Sequence, residues 1–422
     1  MNLSNDSGAL SPYRVLDLTE GALALCGKLL ADLGADVIKV EKPGGDTSRT
    51  IGPFYQDIPH SEKSLFWWAY NVNKRGITLD IETSDGQEIL KKLVRTSDFL
   101  IESFPPGYLD ALGLGFGSLA SINPSIIVAS ITPYGQAGPK ANNPWCDLTA
   151  WASCGAAYIT GDIDRPPLCM GFIPQISAQA ASELMTAILI AHYERELSNE
   201  GQHIDLSIQE SGIGVLQATV EMWDLAKLDY KRSGDRWITT SGAARRLAFK
   251  CKDGYGILLQ GGGGSVRMVR ASQSLVEWMS ECDMAPNWLK NFDWANEYDA
   301  DTLSQETIDR VETCIEGFLL TRTKQEIYKE GWDRGIMIAP VKTMEDIASD
   351  EQLIARGFWQ KIEHPELEAS VTYCGPFVKM SETPLTSRRR PPLIGEHNLE
   401  IYAEEMQIPK ETLAMLKSSR AI

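Results

Sequence analysis

The sequence predicts an α/β fold, a mostly parallel sheet covered by helices, and three observations carry that prediction. Short apolar runs alternate with amphipathic stretches through the N-terminal third. The first such stretch stops on a glycine just before the next apolar run. No internal repeat or low-complexity segment interrupts the pattern. In order, YRVLDL reads as a strand, GALALCGKLLADLG as a helix closing at Gly34, and ADVIKVE as the next strand. A crossover of this kind is right-handed by default. GITLDI, a helix around SDGQEILKKLVRT, the strand DFLIES, a turn at PPG and the strand SIIVASI continue the alternation. A helix over 178–196, the strand QHIDLSI and a helix near GIGVLQATVEMWDLAKL complete a Rossmann-like large domain, residues 1–225. The irregular, basic YKRSGDRWITTSGAARR marks a boundary near residue 226. Residues 226–340 read as a smaller α+β domain with a Gly-rich turn. The segment 341–422, opening with the helix TMEDIASDEQLIARG, is expected to return to the large domain.

Composition narrows the function. A chain of 422 residues with 43% hydrophobic content can fill two cores. The formal charge of -17 opposes broad attraction to nucleic acid or to an anionic membrane. MNLSNDSGAL has no basic region followed by an apolar core, and no apolar run nears the roughly 20 residues of a membrane span, so a cytoplasmic location is expected. Eight cysteines without a C-x-x-C pair and five histidines without H-x-x-x-H spacing point to reduced thiols and to no metal. GLGFG follows a turn and lacks the rest of a dinucleotide fingerprint. SRRRPP reads as a solvated loop, and Trp67, Trp68 and Tyr70 of LFWWAYN as core or interface.

The stretch GFIPQISAQAASELM, Gly171 to Met185, reads as a helix entrance at Pro174 and Ser177, with no carboxylate before Glu183. Helix entrances expose N–H groups that can serve chemistry.

RVLDLTEG, LLADLGADVIKVEKPGGDTSR, NVNKRGITLDIETSDGQEIL, DFLIESFPPGYLDALGLG, SIIVASITPYGQAGP, EQLIARGFW, IEHPEL and RRPPLIGEHN, in this order across nearly the whole chain, closely resemble the class III CoA-transferase family. Formyl-CoA transferase, carnitine CoA-transferase and the α-methylacyl-CoA racemases belong to it. The resemblance implies a bilobed subunit in an interlocked dimer, with CoA or acyl-CoA as substrate, a carboxylic acid as acceptor and no permanently bound cofactor. It implies CoA contacts at Lys42, Asn73, Lys74 and Arg75, whose cations suit phosphates, and along Glu102, Ser103 and Phe104, where many relatives have Glu-Asn-Phe. It implies that Gly261, Gly262, Gly263 and Gly264 form a substrate loop; a plain flexible turn explains them equally well. Departures stand at Gly21–Ala24, where relatives often carry Ala-Gly-Pro, and at Ala111, where formyl-CoA transferase has arginine.

Family catalysis uses an aspartate that attacks the thioester, passing through a mixed anhydride and an aspartyl-CoA thioester. Counting back from Gly201-Gln202 puts that position at Ser177; counting forward from Gly171 puts it at Ile176. Neither is acidic, so no catalytic residue is expected in this chain. Glu183 lies about 9 Å along the helix from Ser177, and Asp162 and Asp164 read as loop residues. Racemase chemistry needs a histidine in a G-H-D context, and Cys146 precedes Asp147 here. Two readings follow. In one, the chain is the Asp-lacking subunit of a heteromer with an Asp-containing homologue, as in succinyl-CoA:benzylsuccinate CoA-transferase of anaerobic aromatic degradation. In the other, it is an active homodimer with an unconventional nucleophile.

Overall fold

A computed structural model of the protein describes residues 8–169 and 173–422. Six strands, β1 Arg14–Leu18, β2 Asp36–Glu41, β3 Arg75–Thr78, β4 Phe99–Glu102, β5 Ile127–Thr132 and β6 His203–Ser207, form one sheet in the order β3-β2-β1-β4-β5-β6. Every neighbouring pair in it is parallel. A parallel sheet needs helices on both faces, so its inner strands read as continuous apolar runs, and all residues of β4 and β5 are buried. Alternation along the strands divides the core. Val15, Val37, Phe99 and Ile101 pack with Ile176, Ala180, Leu184 and Ile188 of the long helix Gln175–Ser198. Leu16, Ile38, Ile77 and Leu100 pack on the other face with Ile89, Leu90 and Leu93 and with the C-terminal Ile401 and Tyr402.

Strand order reverses between β1 and β4, and in such sheets ligands settle outside the carboxyl ends of the strands at that switch point. The segment after β1 is built for close approach. It runs as a 3-10 turn, Gly21–Ala24, and then the helix Leu25–Asp32, where a single helix was expected. A Cβ on Gly27 would stand 2.2 Å from Asp17 Oδ2, so only glycine lets this helix lie against β1.

Two compact units divide the chain. The first comprises Met1–Ala156, Cys169–Leu228 and Gln352–Ile422, and the second Ala157–Leu168 with Asp229–Glu351. Compared with the expected boundaries, the second unit gains 157–168 and 341–351. Long-range bonds explain both additions: Tyr158 donates its hydroxyl to Asp229, Gly234 N–H donates to Gly161 O, and Lys324 pairs with Asp346. In the second unit an antiparallel sheet of Ala248–Cys251, Gly254–Leu258 and Ile338–Pro340 packs with the helices Val266–Glu281 and Gln305–Leu319 over a core containing Phe249, Trp278 and Phe318. Trp67 and Trp68, in the first unit, are buried, as the sequence suggested. Among the described residues, no helix is long and apolar enough to cross a membrane.

Candidate active site

A cavity of about 410 Å³ opens at the switch point. Gly21, Ala22 and Leu23, after β1, and Ser103, after β4, line one part of it; Phe66, Trp145 and Ser177 line another. The two strand ends are tied together there, because Glu20 N–H donates to Ser103 Oγ at 3.0 Å. Ser177 enters from the first turn of Gln175–Ser198, a helix whose N-cap, Pro174, has no side-chain oxygen to satisfy the exposed N–H groups. Asp147 supplies the missing acceptor from outside the helix. Its Oδ1 accepts both the Ser177 N–H, at 2.9 Å, and the Ser177 hydroxyl, at 2.7 Å. A carboxylate at the positive end of a 24-residue helix is well placed electrostatically. The pairing spans 30 residues, and Asp147 is at the same time the first residue of its own helix, Asp147–Ser153. Sequence reasoning missed Glu20, the acidic residue among those lining the cavity.

Glu102 closes β4 beneath Ser103. It is 4% exposed, and its Oε2 accepts the Phe104 N–H at 2.6 Å, which shapes the turn leading away from the cavity. Burial pushes its carboxyl up to about 7, against the opposing hydrogen bonds from Ser130 and the Phe104 N–H. A folded-state pKa above the ordinary value near 4.5 means that the native state binds the proton more tightly, so stability is fully present at low pH and declines as pH rises towards 7. Relative to Glu102→Gln, the wild-type protein is therefore expected to lose up to about 3 kcal/mol of unfolding free energy between pH 4.5 and 8. Urea midpoints of the two proteins across that range check it; parallel curves would show that Glu102 stays charged.

The expected CoA cations separate in the structure. Lys42 follows β2 at the carboxyl edge; its side chain is 54% exposed and pairs with Glu82 Oε1 at 2.9 Å. The same Glu82 oxygen accepts the Tyr108 hydroxyl, and the Tyr108 ring stacks on Phe104 with centroids 4.8 Å apart. Lys42, Phe104 and Ser103 thus lie along the carboxyl edge with Glu102. Asn73, Lys74 and Arg75, expected beside them as CoA contacts, do not join them at this edge. Arg75 begins β3 and therefore sits at the amino edge, held by Asp36, Glu400 and Glu405. Asn73 accepts the N–H groups of Arg388 and Arg389 and donates to Asp32 and to Thr386 O, which anchors the C-terminal segment. Lys74 is fully buried, and its three donors go to Asp17 Oδ2 at 2.7 Å, Ala24 O at 2.7 Å and Asn71 Oδ1 at 2.9 Å. That leaves it no donor for a phosphate.

Gly261–Gly264 lies in the second unit. A Cβ on Gly262 would stand 2.0 Å from Trp294 O and one on Gly261 2.4 Å from Met268 Cε, whereas Gly264 faces open space. A Cβ on Gly263 would stand 2.7 Å from Asp299 Oδ2, so three of the four glycines are closely packed against their own unit. A larger cleft, about 570 Å³, in the C-terminal segment is lined by Phe358, Phe377 and Met380 with Arg356 and Lys379, and its described lining residues include no carboxylate, hydroxyl or thiol.

Fold and cavity together define a doubly wound α/β protein with a cavity at the topological switch point, where folds of this kind place their ligands and where a helix N-terminus enters here. The chain belongs to CoA-transferase family III, whose model matches residues 10–398. It is 32% identical to the succinyl-CoA:(R)-benzylsuccinate CoA-transferase subunit BbsE of Thauera aromatica, over 93% of each chain. It is also 32% identical to the formyl-CoA:oxalate CoA-transferase of Streptomyces coelicolor, over 98% of this chain and 99% of that one. Among solved structures it resembles a CAIB/BAIF family protein from Brucella suis, with a TM-score of 0.79 and 28% identity over 94% of this chain and 99% of that one.

Proposed function

We propose that this chain is the subunit that lacks the transfer nucleophile in a heteromeric class III CoA-transferase, which moves CoA from an acyl-CoA donor such as succinyl-CoA to a carboxylic acid, with benzylsuccinate as a candidate acceptor. Ser177 carries the reading: a hydroxyl lines the cavity at the position where family chemistry calls for a carboxylate nucleophile. An alkyl ester formed there would be too unreactive to hand its acyl group to a carboxylate. A homologous subunit bearing the aspartate performs the covalent steps, and this chain shapes the assembly. Two further observations support it. The Thauera relative is itself named as a subunit, and the long helix exposes Ile190, Tyr193 and Leu197, which a second chain would cover. Lys42, Glu102, Ser103 and Phe104 are the residues of this chain assigned to CoA.

A second reading, an active homodimer with an unconventional nucleophile, has one structural candidate in Glu20, which lines the same cavity. Glu183 accepts from Gln179 along the helix and is not among the lining residues. Co-expression with an Asp-bearing homologue followed by native mass measurement separates the readings. A mixed assembly is expected; two separate homodimers, each active without the other, overturn the proposal.

A further inference from the structure

Ser177 is more than an absent aspartate. The residue is 4% exposed and lines a cavity of about 410 Å³, and its hydroxyl donates a hydrogen bond of 2.7 Å to a carboxylate. A hydroxyl within hydrogen-bond reach of a base, facing a cavity, is the arrangement of an activated nucleophile. Asp147 itself is held in place by the Ser177 N–H, and its second oxygen, Oδ2, has no hydrogen-bond partner among the described residues. The N–H groups of the first helical turn are accounted for in part: Gln175 donates to Ile173 O and Ser177 to Asp147.

We propose that Ser177 and Asp147 form a nucleophile–base pair that gives this chain an acyl-thioester hydrolase activity of its own, distinct from CoA transfer. Ser177 Oγ attacks the thioester carbonyl carbon as its proton passes to Asp147. The C–S bond then breaks, and the departing thiolate takes that proton, leaving free thiol and an acyl-Ser177 ester. Water attacks the ester carbon and gives a proton to Asp147. The C–Oγ bond breaks, and Oγ recovers the proton. The sum is thioester plus water giving carboxylic acid plus thiol, with no redox change. Attack by water on the ester is downhill, whereas attack by a carboxylate would have to form an anhydride, so the same hydroxyl that disables transfer permits hydrolysis.

The test uses the purified chain with acetyl-CoA in a buffer free of carboxylates and reads free thiol, which CoA transfer does not release, so it is blind to transfer and independent of the subunit reading. Thiol release is followed with a colorimetric thiol reagent, and intact mass is followed at early times. Wild-type protein is expected to release thiol above the buffer rate and to carry an acyl mass on the peptide containing Ser177. Ser177→Ala and Asp147→Asn, each verified as folded by its unfolding midpoint, are expected to lower release at least tenfold. Because Asn can still accept the Ser177 N–H but cannot take its proton, Asp147→Asn separates a base from a helix cap. Release at the buffer rate in the wild type, equal release in wild type and Ser177→Ala, or release that persists in Ser177→Ala but vanishes in Glu20→Gln would each overturn the proposal.

Discussion

Lys74→Met is expected to lower folding stability by about 3–5 kcal/mol, the cost of breaking a buried ion pair by removing one partner. Lys74 and Asp17 are both fully buried. Burial pulls the Lys74 ammonium down to about 8, against the attraction of Asp17. Burial also disfavours the Asp17 charge, yet Lys74 and Lys39 together hold its carboxyl below the usual range. Without Lys74, the nearest cation to Asp17 is Lys39, at 3.9 Å, and Ala24 O and Asn71 Oδ1 lose their donor. Ala24 ends the turn whose preceding residues line the cavity, so the lesion should also loosen the site from beneath. Chemical denaturation of the variant measures the loss. A variant that unfolds within about 0.5 kcal/mol of the wild type yet binds CoA more weakly would make Lys74 a ligand after all.

The purified chain alone should show no measurable CoA exchange between succinyl-CoA and a carboxylic acid, at least 10³-fold below an assembly that includes an Asp-bearing partner. Loss of a covalent nucleophile removes several orders of magnitude from turnover. No enzyme-bound CoA thioester should be trapped by borohydride, because an acyl-serine ester contains no thioester for it to cleave. Isotope exchange between labelled succinate and succinyl-CoA, measured with and without the partner, provides the comparison. Robust exchange by this chain alone that disappears in Glu20→Gln would establish the unconventional nucleophile and remove the need for a second subunit.

Much of the fold was legible because its signals are local. Apolar runs of strand length, a helix that stops at Gly34 and the turn at PPG each depend on residues close in sequence, and they located all six strands of the parallel sheet. The serine at the helix entrance was equally legible, since counting along a helix requires no knowledge of its neighbours. Partners could not be read in this way. Asn73, Lys74 and Arg75 look like a basic loop, but β3 begins at Arg75, so they fall at the amino edge and in the core, where Asp17, Asp36 and Asp32 neutralise or bind them.

The sequence by itself determined the parallel α/β architecture, the family and the absence of an acid at Ser177. Only the tertiary structure decided what surrounds that serine: Asp147 bonded to its hydroxyl from 30 residues away, and Glu20 and Ser103 brought to the same cavity from the ends of β1 and β4. The physical reason is that secondary structure follows from short-range sterics and hydrophobic periodicity, whereas the charge state and reactivity of a side chain depend on which distant groups the packing places within about 3 Å of it.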